Sequence, residues 1–135
     1  MLRQKEDLFT EVVRALVNAV EARDPYTSGH SERVACTARF LGELLGLKET
    51  DCERIYLTGL LHDVGKCKVD SGIVNKNGPL TDEEFSAMKQ HPAFGEELLE
   101  ESGEVNKDSY VGVLQHHEKL NGQGYPNGLV DKEIE

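Results

Sequence analysis

The sequence predicts an all-α protein, and three observations predict it. Apolar residues recur at intervals of three and four in successive segments. A threonine followed three residues later by a glutamate opens two of those segments, as in a helix capping box. No stretch alternates polar and apolar residues as a half-buried strand would. Short connections between the segments imply a compact bundle of mostly antiparallel neighbours.

In chain order, residues 5–23 set Leu8, Val12, Leu16 and Val20 in one ridge beside Phe9, Val13 and Val17, a helix with one buried face. Asp24-Pro25 should stop it, because proline disfavours helix at the residue before it. Thr27 and Ser28 are expected N-caps for a second helix with the stripe His30, Val34, Ala38, Leu41 and Leu45, ended by Gly46. His30 then lies on the buried face of the first turn. Thr50 and Glu53 form the box of a third helix, in which Ile55, Gly59 and His62 share an inward face, and Gly65 is expected as a left-handed stop.

From Cys67 to Gly78 the Gly, Asn, Asp and Ser content predicts a loop, with a turn at Asn77-Gly78-Pro79. Thr81 and Glu84 open a short helix carrying Phe85 and Met88, which must end near His91 because Pro92 follows. Pro92 suits the first turn of the next helix, which holds Phe94, Leu98 and Leu99. Past the joint at Ser102-Gly103, a last helix from about Lys107 carries Tyr110, Val113, Leu114 and His117. Residues 121–128 are too rich in glycine and proline for regular structure.

The totals bound the function. A chain of 135 residues is expected to form one domain that buries about two thirds of its unfolded surface. No apolar run approaches the roughly 20 residues of a membrane span, and Met1 to Asp7 lead into an amphipathic stretch, so an unsecreted, cytoplasmic protein is expected. The three cysteines, Cys36, Cys52 and Cys67, are an odd number without a close pair, which fits reduced thiols. A net charge of -10 argues against polymeric nucleic acid as a partner. A small phosphate substrate is still compatible, because a bound metal inverts the local field.

The chemistry concentrates in Gly59-Leu60-Leu61-His62-Asp63-Val64-Gly65-Lys66, where an imidazole, a carboxylate and an ammonium adjoin the end of an apolar helix. Alone, a His-Asp pair is more often a helix end with a surface carboxylate. All five histidines, His30, His62, His91, His116 and His117, nevertheless fall at helix ends or on apolar faces. Burying that many imidazoles with unpaired nitrogens would cost about 1–3 kcal/mol each. A shared metal satisfies one nitrogen of each ring, and an outer acceptor satisfies the other.

Four motifs then stand in order: Asp24-Pro25-Tyr26-Thr27-Ser28-Gly29-His30-Ser31-Glu32-Arg33-Val34; Leu61-His62-Asp63-Val64-Gly65-Lys66; Lys89-Gln90-His91-Pro92-Ala93-Phe94-Gly95; and His116-His117-Glu118 through Gly124-Tyr125-Pro126. With them the chain resembles the HD-GYP domain, a branch of the HD phosphohydrolase superfamily similar to bacterial cyclic di-GMP phosphodiesterases. The resemblance covers nearly everything from Asp24 onward.

The resemblance implies a helical HD-domain bundle with a metal site between helices. It implies His30, His62, Asp63, His91, His116 and His117 as metal ligands, with Asp63 bridging two divalent ions, iron ahead of manganese or zinc. Asp63 and Lys66 become the catalytic pair, with Lys66 also meeting phosphate. Arg33 and the Gly124-Tyr125-Pro126 loop become substrate contacts. The implied reaction is hydrolysis of a cyclic dinucleotide, cyclic di-GMP first, in bacterial second-messenger signalling. Implied partners are a fused receiver or sensor domain, a GGDEF-type protein, or a second copy of the chain. Residues 1–23 are expected as a linker or dimer helix, and 24–135 as an HD-GYP-like domain cut short at its C-terminus.

The chain departs from the family pattern in several places. Tyr26 stands where some members have a glutamate, so two metals are expected rather than three. Asn77-Gly78-Pro79 replaces the commoner Pro-Gly order, and Asn121 stands where aspartate is usual. Glu135 ends the sequence ahead of the segment that usually supplies another aspartate ligand. Two rival readings follow: a non-catalytic module of the same fold that binds a nucleotide or a partner, and oxygen chemistry at a di-iron site.

Overall fold

The computed structural model describes residues 2–23 and 27–135. The expected stop at Asp24-Pro25 and the departure at Tyr26 lie outside the described residues. Internal contacts divide the chain into two units, Met1–Leu61 and His62–Glu135.

The first unit contains α1 (Leu2–Glu21), α2 (His30–Leu44) and α3 (Glu49–Leu61). Small residues set how α2 meets α3. A Cβ on Gly59 would lie 2.7 Å from the Ala35 Cα, and one on Gly42 would lie 3.3 Å from the Cys52 sulfur. These two pairings run in opposite chain directions, so the helices are antiparallel. Ala35, Gly42, Cys52 and Gly59 are all buried at the contact. Arg39 of α2 is also ion-paired with Glu49 of α3.

That close contact rotates α2 away from the expected face. Ser31, Ala35 and Gly42 are buried, whereas Leu41 and Leu45 of the expected stripe are exposed. In α1, Val13 and Val17 are buried while Leu8, Val12 and Leu16 of the neighbouring ridge are exposed. Burial of each valine contributes about 1.5–3 kcal/mol. Below them Glu21 is buried as well, and its Oε1 accepts the Ser31 amide at 2.8 Å. A carboxylate at the positive end of α2 is thus supplied by the preceding helix. The expected caps Thr27 and Ser28 are displaced by Gly29, at φ 71°, with no side-chain cap bond. Thr50 falls inside the first turn of α3, one residue past its start.

The second unit begins where α3 ends. It comprises a 3₁₀ segment (Val64–Lys68), α4 (Ser71–Val74), α5 (Asp82–Met88), α6 (His91–Ser102), α7 (Lys107–Gln115) and a closing 3₁₀ turn (Asp131–Glu133). The capping box at Thr81 and Glu84 forms as expected, and α6 opens with proline in its first turn. The region expected to be all loop contains α4, because the Asp70 side chain accepts the Gly72 amide and caps a helical turn. Gly65 is no left-handed stop. It lies within the 3₁₀ segment, against α6, where a Cβ would stand 1.8 Å from the His91 carbonyl oxygen. Gly95 similarly lets Val113 of α7 approach, and Val113 is fully buried.

Among the described residues there is no strand, only an isolated antiparallel bridge between Asn121 and Val130. None of the described helices is long and apolar enough to cross a membrane.

Candidate metal centre

Within the second unit, three elements direct their ends at Asp63. The aspartate sits between α3 and the 3₁₀ segment, a position that exposes little of its side chain. Its Oδ2 lies 3.1 Å from His62 Nε2 and 3.0 Å from Lys66 Nζ. Its Oδ1 lies 3.2 Å from His91 Nε2 and 3.6 Å from His116 Nε2. Burial opposes the charge on Asp63, but hydrogen bonds from His116, His62 and His91, when those rings are protonated, outweigh it and hold the carboxyl far below the usual carboxylate range.

Backbone carbonyls aim two of the imidazoles. His91 opens α6, and its Nδ1 donates to the Met88 carbonyl at 2.8 Å. His116 caps α7, and its Nδ1 donates to the Val113 carbonyl at 2.6 Å. Each ring therefore turns its Nε2 lone pair inward, the arrangement that outer hydrogen bonds give metal-ligating histidines. The two Nε2 atoms face each other at 3.2 Å.

His117 completes the group, its ring centroid 4.2 Å from that of His116. Burial first, then His116 and His91, lower its pKa to about 4, so at neutral pH it carries a free lone pair. One donor atom each from Asp63, His91, His116 and His117 fit within 4.8 Å of one another. Imidazole-rich sets with one carboxylate suit iron, manganese or zinc better than magnesium. The residues present therefore fit a divalent transition metal.

A loop closes over His117. Gly124 permits it, since a Cβ there would lie 2.4 Å from the Lys119 amide nitrogen and 2.5 Å from the His117 carbonyl oxygen. The Tyr125 amide donates to that carbonyl at 3.2 Å, and the Tyr125 ring stacks on His117 at 4.7 Å and 20°. Pro126 follows through a cis peptide bond. The carboxylate of Glu118 holds the far side of the loop, accepting the Asn127 amide at 2.7 Å and the Leu129 amide at 2.9 Å. Glu118 stands within the last of the four motifs with no role expected of it. The acid directly after the two histidines, followed by a glycine-rich loop, was the available signal.

Of the expected site residues, the second unit brings together His62, Asp63, Lys66, His91, His116, His117, Gly124, Tyr125 and Pro126. His30 and Arg33 belong to the first unit. His30 is the first residue of α2, half buried, with its amide donating to Thr27 at 2.8 Å. Arg33 is exposed, and its Nη1 donates to the Ser28 carbonyl at 3.2 Å.

An all-helical fold with a His/Asp cluster at the end of α3 defines the class, and comparison with known proteins agrees. The profile of the family described as HD domain matches residues 14–135. The chain belongs to the HD domain family, as an HD-GYP-type member.

Among curated relatives, it is 39% identical to the cyclic di-GMP phosphodiesterase response regulator RpfG of Xanthomonas campestris, over 98% of this chain and 35% of that protein. It is 38% identical to the 3'3'-cGAMP-specific phosphodiesterase 3 of Vibrio cholerae, over 96% of this chain and 28% of that protein. It is also 38% identical to a cyclic di-GMP phosphodiesterase of Thermotoga maritima, over 96% of this chain and 35% of that protein. The chain thus spans about a third of the length of these relatives.

Proposed function

We propose that this chain carries the metal centre of a phosphodiesterase that hydrolyses a cyclic dinucleotide, with cyclic di-GMP the first candidate. One observation carries the reading: His91 Nε2, His116 Nε2 and Asp63 Oδ1 converge, although both imidazoles already spend Nδ1 on backbone carbonyls. Three lone-pair atoms pressed together need a shared cation between them. The substrates in the relatives' names, cyclic di-GMP and 3'3'-cGAMP, support the choice of ligand and have a guanylate half in common.

In this reading His62, Asp63, His91, His116 and His117 hold the metal ions, two in number and iron first, with His30 a further ligand carried over from its motif. Bound there, such ions supply Lewis acidity toward a phosphoryl oxygen and lower the pKa of water. Asp63 presents both its oxygens to the surrounding imidazoles. Lys66 rests on Asp63 Oδ2 and is partly exposed, so its ammonium can turn to a phosphate oxygen and offset charge on the leaving group. The backbone of Gly124 to Pro126 and the Tyr125 ring border the substrate, and Arg33 offers a second phosphate contact.

The three free thiols support action in the cytoplasm. The exposed residues Leu8, Val12 and Leu16 support reading α1 as a linker or dimer helix, joined to a receiver or sensor domain or meeting a GGDEF-type partner.

Elemental analysis of protein purified without oxygen, paired with chromatography of cyclic di-GMP incubated with it, tests the reading. Bound transition metal and a linear dinucleotide or GMP product are expected. Metal content near zero after iron or manganese supplementation would overturn it.

A further inference from the structure

The cluster continues outward into a row of rings. Tyr125 stacks on His117, and Phe85 of α5 meets Tyr125 edge-on, at 6.2 Å and 83°. Phe85 is 46% exposed. Its place is fixed from below: the capping box at Thr81 and Glu84 sets the first turn of α5, and the Phe85 amide donates to the Thr81 carbonyl at 2.8 Å. One turn further on, Lys89 holds its Nζ 5.0 Å from the centroid of the Phe85 ring.

A lone exposed phenylalanine is ordinary on a protein surface. This one differs in being the outer end of a continuous aromatic path that begins on a candidate metal ligand. It also has a cation over its face in a chain of net charge -10, and the flexible lysine stem lets that ammonium move to the edge of a stacked base.

We infer that Phe85 and Lys89 form a guanine subsite: a base of the cyclic dinucleotide stacks on Phe85 while the Lys89 ammonium meets its polar edge. The inference rests on the phosphodiesterase reading and extends it to base recognition. Stacking on an aromatic side chain accepts any base, because every base has a π-face. Discrimination comes from Lys89, a donor with no acceptor. Guanine presents O6 and N7 as adjacent acceptors, whereas adenine pairs its N7 acceptor with the N6 donor, which an ammonium repels. With phosphate at the histidine cluster, Tyr125 spans the interval to the base, and a nucleotide lies along the row.

Calorimetric titration of the metal-loaded chain with cyclic di-GMP, cyclic di-AMP and inorganic phosphate tests this, using the wild type, Phe85→Leu, Phe85→Tyr and Lys89→Gln. Phe85→Leu should weaken cyclic di-GMP about tenfold, with phosphate binding unchanged, and Phe85→Tyr should restore it. Lys89→Gln should shrink the preference for cyclic di-GMP over cyclic di-AMP about fivefold. Wild-type affinity in Phe85→Leu, or an unaltered preference in Lys89→Gln, overturns the subsite while leaving the phosphodiesterase reading intact. A metal-loaded wild type that binds phosphate but neither dinucleotide overturns both. Thermal melts of each variant separate lost binding from lost folding, and Phe85→Tyr and Lys89→Gln carry the test if Phe85→Leu does not fold.

Discussion

Gly65 and His91 touch backbone to backbone: a methyl group on the glycine would sit 1.8 Å from the histidine carbonyl oxygen and 2.5 Å from the Gly95 nitrogen. The obstacle is main chain, which cannot swing aside as a flexible side chain could. Gly65→Ala should therefore destabilise the fold by about 4 kcal/mol or more, read from urea unfolding followed by circular dichroism. A loss under about 1 kcal/mol would mean that the 3₁₀ segment does not lie against α6 in this way.

Asp63→Asn keeps the shape of the side chain and removes its charge. Metal affinity should fall at least about a hundredfold, measured by competition with a chromophoric chelator, while helical content persists. Undiminished affinity would show that the imidazoles alone hold the ion.

Glu118→Gln removes the charge that serves two backbone amides at once. Hydrogen exchange at Asn127 and Leu129 should accelerate about tenfold, as expected for weakened charge-assisted bonds. Amides in α6 should not respond. Equal exchange in the variant would remove the carboxylate as the restraint on this loop.

Stability of the metal-free chain should depend on acid in two stages. The pKa of His117 is lowered from 6.5 to about 4, so the unfolded chain takes up that proton first. Its contribution is complete above about pH 6.5 and fades as pH falls toward 4. Asp63, also lowered in the folded state, contributes above its ordinary carboxylate range and is lost in stronger acid. Urea midpoints between pH 7 and 4 should decline, and His117→Asn should flatten that slope. A slope unchanged in the variant would place the acid sensitivity elsewhere.

Much of this was legible in the sequence where the signal was local. The Thr81 and Glu84 box lies within one turn, so spacing alone specifies it. The gathering of His62, His91, His116 and His117 around Asp63 was equally readable, because histidines at helix ends carry their position with them. The buried face of α2 was not, since large apolar residues draw the eye to Leu41 and Leu45. The actual contact uses Ala35 and Gly42, whose value lies in how closely they let α3 come. Glu21 escaped for a similar reason: its role as a cap depends on Ser31, ten residues away, across a turn that no local pattern specifies. Phe85 is expected only as part of a short helix, because its exposure and its place next to Tyr125 and Lys89 depend on tertiary packing.

The aim of His91 and His116 is borrowed from peptide groups rather than from neighbouring side chains. A change of residue type at Met88 or Val113 leaves the carbonyl in place, so mutational drift at those positions cannot delete either anchor without first unwinding a helix. The orientation of these two donors is consequently insured by the same helical geometry that builds the fold, and genetic screens should find it lost only together with the fold itself.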